Sequence, residues 1–418
     1  MPKEKIIAGI DVGSSKISTI IATVSDSKIS VIGVSGVVQS KGVNKGIIVD
    51  IDDAVESISK SLERAERMAG VSVSSAFVTV SGSHIETQNS HGVVAVTNQG
   101  TEIVPEDVFR VTEAAQAVSL PNSREIVHVI PRDFIVDSQD GIRDPIGMSG
   151  IRLEVETNII HGSSTAMKNL IKCVQQVGVD VDDLVYTGVA SAEAVLTDTE
   201  KELGTVLIDI GGGTTSIIAF VEGSPIHSVV LPIGGKHITS DLAIGLRANM
   251  DAAEKIKVKL SEERTQFMAL DNAARRNDEF DVSGFGLDED SVPRKLLYEI
   301  IDARLNEIFT LIALELKKAN LHSKLPAGVV LTGGASLTNG IERVAKHILK
   351  MPVRVGQPKG VTGLIDEIQS PAFAASVGEI LYGTKLIKSG SVLSFNSSRG
   401  KISEIASRLL EKIKSFLP

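Results

Sequence analysis

The chain has 418 residues, 42% of them hydrophobic and 23% charged, with a formal net charge of −9. That length exceeds one ordinary core and favours two lobes, while the negative charge and 3% aromatic content argue against nucleic acid as a partner. A single cysteine, Cys173, excludes a disulfide framework and fits a reducing cytoplasm; the eight histidines lack metal-ligand spacing, and no apolar run reaches membrane-spanning length.

In chain order, apolar strands are expected at 6–12, 17–24 and 29–38. The spacing of Ala54, Val55, Ile58, Leu62, Ala65 and Met68 predicts an amphipathic helix over 51–68, stopped by Gly70. Another strand follows at 75–81. The pattern then changes: strands at 93–96 and 125–136, the latter with Pro131 implying an edge or bulge, flank a helix at 105–118 with proline at its start and acids in its first turn. With the loop-rich stretch 137–150, residues 86–157 read as a small inserted α+β subdomain. The main body resumes at 159–162 and a helix follows at 165–177, where Cys173 shares a face with Leu170, Val174 and Val177 as a packed thiol. A helix of small residues is expected at 187–196.

The second half repeats the opening. Strands at 206–210, 217–221 and 226–233 precede a helix at 252–260, a polar irregular stretch at 261–291 and a long helix at 293–320. That helix carries a core stripe of Leu296, Leu297, Ile300, Ile301, Leu305, Ile308 and Ile312. A buried strand at 328–332 ends in Gly333-Gly334, and a second small-residue helix is expected at 373–382.

Two stretches carry the chemistry. Asp11-Val12-Gly13-Ser14-Ser15-Lys16 and Asp209-Ile210-Gly211-Gly212-Gly213-Thr214-Thr215 share one grammar: apolar strand, aspartate, glycine, hydroxyls, then a second strand. Each reads as a hairpin turn whose glycines let backbone N–H groups close on an anion, with hydroxyls as further donors. Facing each other, the two would clamp one polyphosphate, with Asp11 and Asp209 flanking a hydrated Mg²⁺. One such hairpin alone would be an ordinary glycine-rich turn; the duplication makes the signal specific.

The paired hairpins resemble phosphate loops 1 and 2 of the actin, Hsp70 and sugar-kinase superfamily. Within it the whole chain resembles the FtsA family of bacterial cell-division proteins, supported by the stretches 40–46 (SKGVNKG), 234–241 (GGKHITSD) and 253–257 (AEKIK). The resemblance implies an α/β, actin-like two-lobed ATPase fold with duplicated sheet-and-helix units, an inserted α+β subdomain and a C-terminal amphipathic helix. It divides the chain into a first-lobe core at 1–85 and 158–190 (1A), the insert at 86–157 (1C), a second-lobe core at 191–233 and 321–387 (2A) and subdomain 2B at 234–320. A flexible linker at 388–400 and a membrane-targeting helix at 401–418 follow.

It also implies ATP and Mg²⁺ as ligands. Gly13, Ser14, Ser15, Lys16, Gly211, Gly212, Gly213, Thr214, Thr215 and Gly235 would surround the phosphates, and Gly333, Gly334 and Ala335 the adenosine. Glu254 and Lys257 would line the ribose and base, though at i, i+3 they equally suit an exposed ion pair. The helices 187–196 and 373–382 correspond to the connecting helices of the hinge. Related ATPases place Glu or Gln just before the first of these; here Thr187 stands there, and Glu193 lies six residues on, roughly 9 Å along a helix. Slow or negligible ATPase activity is therefore expected, with ATP acting as a conformational ligand for polymerisation.

The tail supplies the last signal. Ile402, Ile405, Ala406, Leu409, Leu410, Ile413, Phe416 and Leu417 fall within an arc of about 140° on a helix. Arg399, Lys401, Arg408, Lys412 and Lys414 oppose only Glu404 and Glu411, so the segment is locally basic and suited to anionic lipid. The resemblance makes the protein a peripheral protein of the cytoplasmic membrane face at the division septum. It would form an actin-like filament, tether the FtsZ ring through the FtsZ C-terminal tail, and help recruit later divisome membrane proteins. Arg294, Lys295 and Arg304 are the cations expected to meet that acidic tail. A PilM-like adaptor of type IV pilus assembly and a small-molecule kinase are the competing readings; the kinase lacks a convincing cleft Asp as base.

Overall fold

The computed structural model describes residues 5–25, 28–97, 102–267, 279–287, 289–364 and 366–388. The linker expected after Lys388 and the terminal helix bearing Ile402, Ile405, Leu409, Leu410, Ile413, Phe416 and Leu417 lie outside the described residues.

The first lobe begins with β1 (Lys5–Val12), β2 (Lys16–Ser25) and β3 (Lys28–Val34), then the two-residue pieces β4 (Val38–Gln39), β5 (Val43–Asn44) and β6 (Ile47–Ile48). Helix α1 (Ile51–Ala69) and strand β7 (Ser75–Val80) follow. The Asp50 carboxylate accepts from the Asp53 N–H to cap α1, and Gly70 ends it in the left-handed region, φ 70°. The third strand was expected to run to 38; it breaks after Val34, where Gly36 takes φ 65°.

The insert comprises β8 (Glu86–Ala95), α2 (Pro105–Gln116), β9 (Arg124–Val136), β10 (Gln139–Ile142) and β11 (Arg152–Ser163), with sheet order β10-β9-β11-β8. Strand β8 starts seven residues before the expected 93, and β11 begins at Arg152, where no strand was expected. The start of β8, Glu86 to His91, carries no apolar alternation, so pairing with β11 defines it; β11 does alternate, with Leu153 and Val155 between Arg152, Glu154 and Glu156. Pro131 sits at a bulge: Glu156 faces Asp133 while Thr157 faces Pro131, leaving Arg132 extra. The loop expected at 137–150 contains β10, reached by a two-residue turn in which Asp137 and Ser138 both take positive φ (47° and 76°). Helix α2 buries Val108, Val111 and Ala115 on this sheet, forming a separate small core with Phe134, Leu153 and Val155.

Helix α3 (Ser164–Gln176), β12 (Asp180–Tyr186), α4 (Thr187–Val195) and α5 (Asp198–Leu203) lead to the second lobe. There β13 (Thr205–Ile210), β14 (Thr215–Val221) and β15 (Ser224–Leu231) precede α6 (Gly235–Gly245), α7 (Met250–Phe267), the hairpin β16 (Glu279–Asp281) and β17 (Ser291–Pro293), and α8 (Arg294–Lys318). The described residues end through β18 (Gly328–Thr332), α9 (Ile341–Leu349), β19 (Val353–Val355), β20 (Thr362–Gly363) and α10 (Ala374–Lys388). Helix α7 continues past the expected 260, and the β16–β17 hairpin lies in the stretch expected to be irregular. On α8, Leu297, Ile301, Leu305, Ile308 and Ile312 are buried as expected, but Leu296 is 40% exposed, with Phe309 and Leu316 completing the stripe instead.

The two main sheets share one topology. In the first lobe the order is β12-β7-β1-β2-β3, extended by β20; in the second it is β19-β18-β13-β14-β15. In each, three neighbouring strands run parallel and the last two continue as an antiparallel meander. Strand β13 is buried along its whole length, as a central strand covered on both faces must be. Helices α4 and α10 cross between the sheets, close enough that a Cβ on Gly378 would collide with the Ala190 carbonyl. Glu193 on α4 binds Lys385 of α10 at 2.5 Å and Lys201 of α5 at 3.2 Å, which ties the crossing together.

Candidate functional site

Both hairpin turns are built alike. The Gly13 N–H donates to the Lys16 carbonyl at 3.0 Å, and the Gly211 N–H to that of Thr214 at 2.9 Å. Antiparallel register then sets Asp11 opposite Ser18, and Asp209 opposite Ser216. The turns touch across the cleft: a Cβ on Gly212 would strike the Ser15 hydroxyl, and one on Gly213 would lie 2.9 Å from Ser14 Cβ. Glycine is therefore required for this approach. Thr215 is the exception among the expected residues, since its buried hydroxyl donates to the Ile233 carbonyl at 2.8 Å and faces away from the cleft.

The carboxylates come next. Thr79, at the end of β7, donates to Asp11 Oδ1 at 2.8 Å, and Lys16 Nζ lies 3.5 Å from Oδ2. The Lys16 ammonium also bonds Ser18 Oγ at 3.1 Å and sits 4.4 Å over the Phe373 ring, so it serves Asp11 more directly than the turn's mouth. Asp209 accepts from Ser191 Oγ of α4 at 2.5 Å. Burial raises the Asp209 carboxyl to about 6 and the negative charge of Asp11 adds to this, against the Ser191 hydrogen bond and the Lys16 charge. Glu379 on α10 is fully buried nearby, with the Thr79 backbone beside its carboxyl. Burial, and then Asp11, hold its carboxyl well above the usual range.

The second-lobe wall is formed by α6, α7 and the turn after β18. The Gly235 and Lys236 N–H groups donate to the carbonyls of Gly211 and Gly212, at 2.9 and 2.8 Å, stapling the start of α6 to the second hairpin. Lys257 Nζ bonds Glu254 at 2.7 Å and Thr239 Oγ1 at 2.9 Å, and Thr239 also donates to Glu254. The pair is thus a network across α6 and α7, with Lys257 buried and Glu254 half exposed, beyond a simple surface pair. Gly235 packs against Ala335, 3.0 Å from an ideal Cβ. Gly334 is exposed, with Ala372 at ordinary van der Waals distance, whereas Gly333 (φ 84°) is buried directly against Asp209. Of these, Gly334 is the backbone a ligand can reach.

Thr187 opens α4, and its hydroxyl donates to the Val80 carbonyl at 3.2 Å. Arg294 and Arg304 are occupied internally, Arg294 by Glu263 at 2.7 Å and Arg304 by Asp241 through two bonds of 2.6 and 2.8 Å. Lys295 is exposed, with Glu299 at 3.9 Å. Ser18, Ser191, Ser376, Lys236 and Glu379 are the site's additions to the expected set. Ser18 and Ser216 stand seven residues after their aspartates, a repeat visible in the sequence; Ser191 and Ser376 are single hydroxyls in small-residue helices, a much weaker signal.

Two families match. The SHS2 domain inserted in FtsA matches residues 82–161, and the cell division protein FtsA matches 206–378. The chain is 38% identical to cell division protein FtsA of Pseudomonas aeruginosa, over 99% of this chain and 97% of that one. It is 38% identical to that of Bacillus subtilis, over 97% and 90%. The chain belongs to the FtsA family of cell-division proteins. Among solved structures, a PilM–PilN type IV pilus biogenesis complex matches 90% of this chain and 98% of that one, with TM-score 0.63 and 16% identity. MreB5 of Spiroplasma citri bound to AMPPNP matches 93% and 98%, with TM-score 0.54 and 12% identity. At those identities the likeness shows the fold, which is actin-like.

This FtsA-family cleft fits a magnesium polyphosphate in its donor chemistry. Glycine turns, hydroxyls and the Lys16, Lys236 and Lys257 ammonium groups surround it, and two buried carboxylates repel each other where a divalent cation would neutralise them. Among the described residues no group of three or more His, Cys, Asp or Glu could hold a metal. A cation here would take Asp11 and Asp209 plus water and phosphate oxygens. No helix among the described residues is long and apolar enough to cross a membrane.

Proposed function

We propose that this FtsA-family protein binds Mg²⁺-ATP between its lobes and assembles as an actin-like filament on the cytoplasmic face of the membrane at the septum. There it tethers the FtsZ ring and helps recruit later divisome membrane proteins. The observation that carries the nucleotide reading is the matched pair of aspartate-tipped hairpins meeting at the lobe junction.

In this reading Gly13, Ser14, Ser15 and Lys16 serve the phosphates from the first lobe, and Gly211, Gly212, Gly213, Thr214 and Gly235 from the second. Asp11 and Asp209 hold Mg²⁺ through water. Gly334 and Ala335 receive the adenosine, with Glu254 and Lys257 beside the ribose and base. Mg²⁺-ATP held by these residues would offer phosphate oxygens to both turns at once, so that binding would favour the lobes held together. Hydrolysis is slow: the Thr187 hydroxyl proton is committed to Val80, and Glu193 is committed to Lys201 and Lys385. Neither side chain is placed to orient an attacking water.

The subdivision into 1A, 1C, 2A and 2B, the linker and the terminal helix belongs to the same proposal. The basic, amphipathic 401–418 segment attaches the protein reversibly to anionic lipid. Arg294, Lys295 and Arg304 line the receiving face for the FtsZ tail, with Lys295 the most available of the three. The pilus-adaptor reading has the fold likeness in its favour, whereas the curated relatives at 38% identity favour division.

The test is co-sedimentation with anionic liposomes and ATP, comparing the full chain with one truncated after Gly400, with and without FtsZ. The full chain should pellet and carry FtsZ down; truncation should abolish both. If both chains stay in solution, the tether is excluded.

A further inference from the structure

Lys236 spans the cleft. Its backbone N–H is held by the Gly212 carbonyl of the second hairpin, while its ammonium donates to the Ser14 carbonyl of the first at 2.6 Å. The residue is exposed overall, yet its ammonium is partly desolvated, and that burial lowers its pKa against the attraction of Glu254. The other cations of the cleft are differently engaged. Lys16 is drawn to Asp11, Ser18 and the Phe373 ring, and Lys257 to Glu254, Thr239 and the Gly235 carbonyl. Among the described residues, the hydrogen-bond partner of Lys236 is one neutral carbonyl, which a phosphate oxygen would surpass as an acceptor.

Direction adds to this. Ala335 packs on Gly235, Gly235 is bonded to the second hairpin, and Gly213 of that hairpin meets Ser14, so a polyphosphate laid along these contacts from an adenosine at Gly334 and Ala335 would end at the first hairpin. The Lys236 ammonium is already at Ser14. We propose that Lys236 is a terminal-phosphate-binding residue, exchanging the Ser14 carbonyl for an oxygen of a nucleoside triphosphate and so favouring triphosphate over diphosphate. The assignment rests on the nucleotide reading of this cleft.

The test is equilibrium titration of ATP and of ADP, each with saturating Mg²⁺, into the full chain and its Lys236→Gln and Lys236→Arg variants, with thermal melts as a check on folding. The expected result is a loss of about tenfold in ATP affinity for Lys236→Gln, the scale of one charge-assisted hydrogen bond. ADP affinity should change less than about threefold and Lys236→Arg should recover most of the loss. Unchanged ATP affinity in Lys236→Gln would overturn the assignment and leave the nucleotide reading standing. Equal losses for ATP and ADP would also overturn it, because the side chain would then act on the cleft as a whole. Failure of the unaltered chain to bind either nucleotide would remove the nucleotide reading itself, and the assignment with it.

Discussion

Ser191 Oγ donates to Asp209 Oδ2 at 2.5 Å, from a helix leaving one lobe to a carboxylate at a strand end of the other. The relationship is reciprocated: Ser376, on the second connecting helix, lies 3.4 Å from Asp11 Oδ2 and 2.6 Å from Ser18 Oγ. Each connecting helix thus places one hydroxyl on the aspartate of the opposite repeat. Removing the donor in Ser191→Ala leaves a buried carboxylate short of a partner and should cost about 1–3 kcal/mol of folding stability. Urea unfolding at neutral pH measures this; an unchanged midpoint would show that the bond contributes nothing in solution.

Asp209 itself should weaken the fold. Its folded pKa is raised to about 6 from an ordinary 3.8, so the folded state holds the proton more tightly than the unfolded one. Stability is consequently lost as pH rises from about 4 to about 6 and is level above that. Asp209→Asn removes the charge and should stabilise by on the order of 3 kcal/mol above pH 6, with no gain near pH 3.5. Parallel melts across that range test the sign. The same variant should lose Mg²⁺-dependent ATP binding, the pattern of a site that sacrifices stability for a ligand.

Gly378→Ala should be severe. The added methyl would collide with the Ala190 carbonyl where α4 and α10 cross, and backbone cannot yield as a flexible side chain does. Overpacking of this kind costs about 1–3 kcal/mol or more. Gly70→Ala, where nothing lies within 4 Å but φ is 70°, should cost only the left-handed strain, about 1 kcal/mol. Comparing the two thermal midpoints separates crowding from strain.

On the second-lobe face, Lys295→Ala and Arg304→Ala should differ. Lys295 is exposed, so its loss should weaken binding of an FtsZ C-terminal peptide with no change in melting temperature. Arg304 is fixed to Asp241 by two bonds, and Arg304→Ala should lower stability by about 1 kcal/mol. Fluorescence anisotropy with a labelled peptide, beside melting curves, distinguishes them. Equal affinity losses at equal stability would contradict the division of roles.

The two aspartate hairpins, the buried strands around them and the core stripe of α8 were legible in the sequence because each is written locally. A strand alternates or stays apolar over a few residues, a helix repeats near every fourth, and a glycine turn marks where backbone must pass close. Where local pattern was silent, in the polar start of β8, the strand was missed, since pairing with β11 supplied its stability. Thr215 looked like a donor to the cleft, but its hydroxyl is turned to Ile233. Only the tertiary structure brought Ser191 to Asp209, Ser376 to Asp11 and Lys236 to Ser14, contacts that span 18, 365 and 222 positions. Such pairings depend on how two sheets close over two crossing helices, and no spacing within a helix or strand encodes that geometry. The sequence by itself determined the duplicated parts and the residue types at their tips; the crossing of the lobes decided which side chains share the cleft.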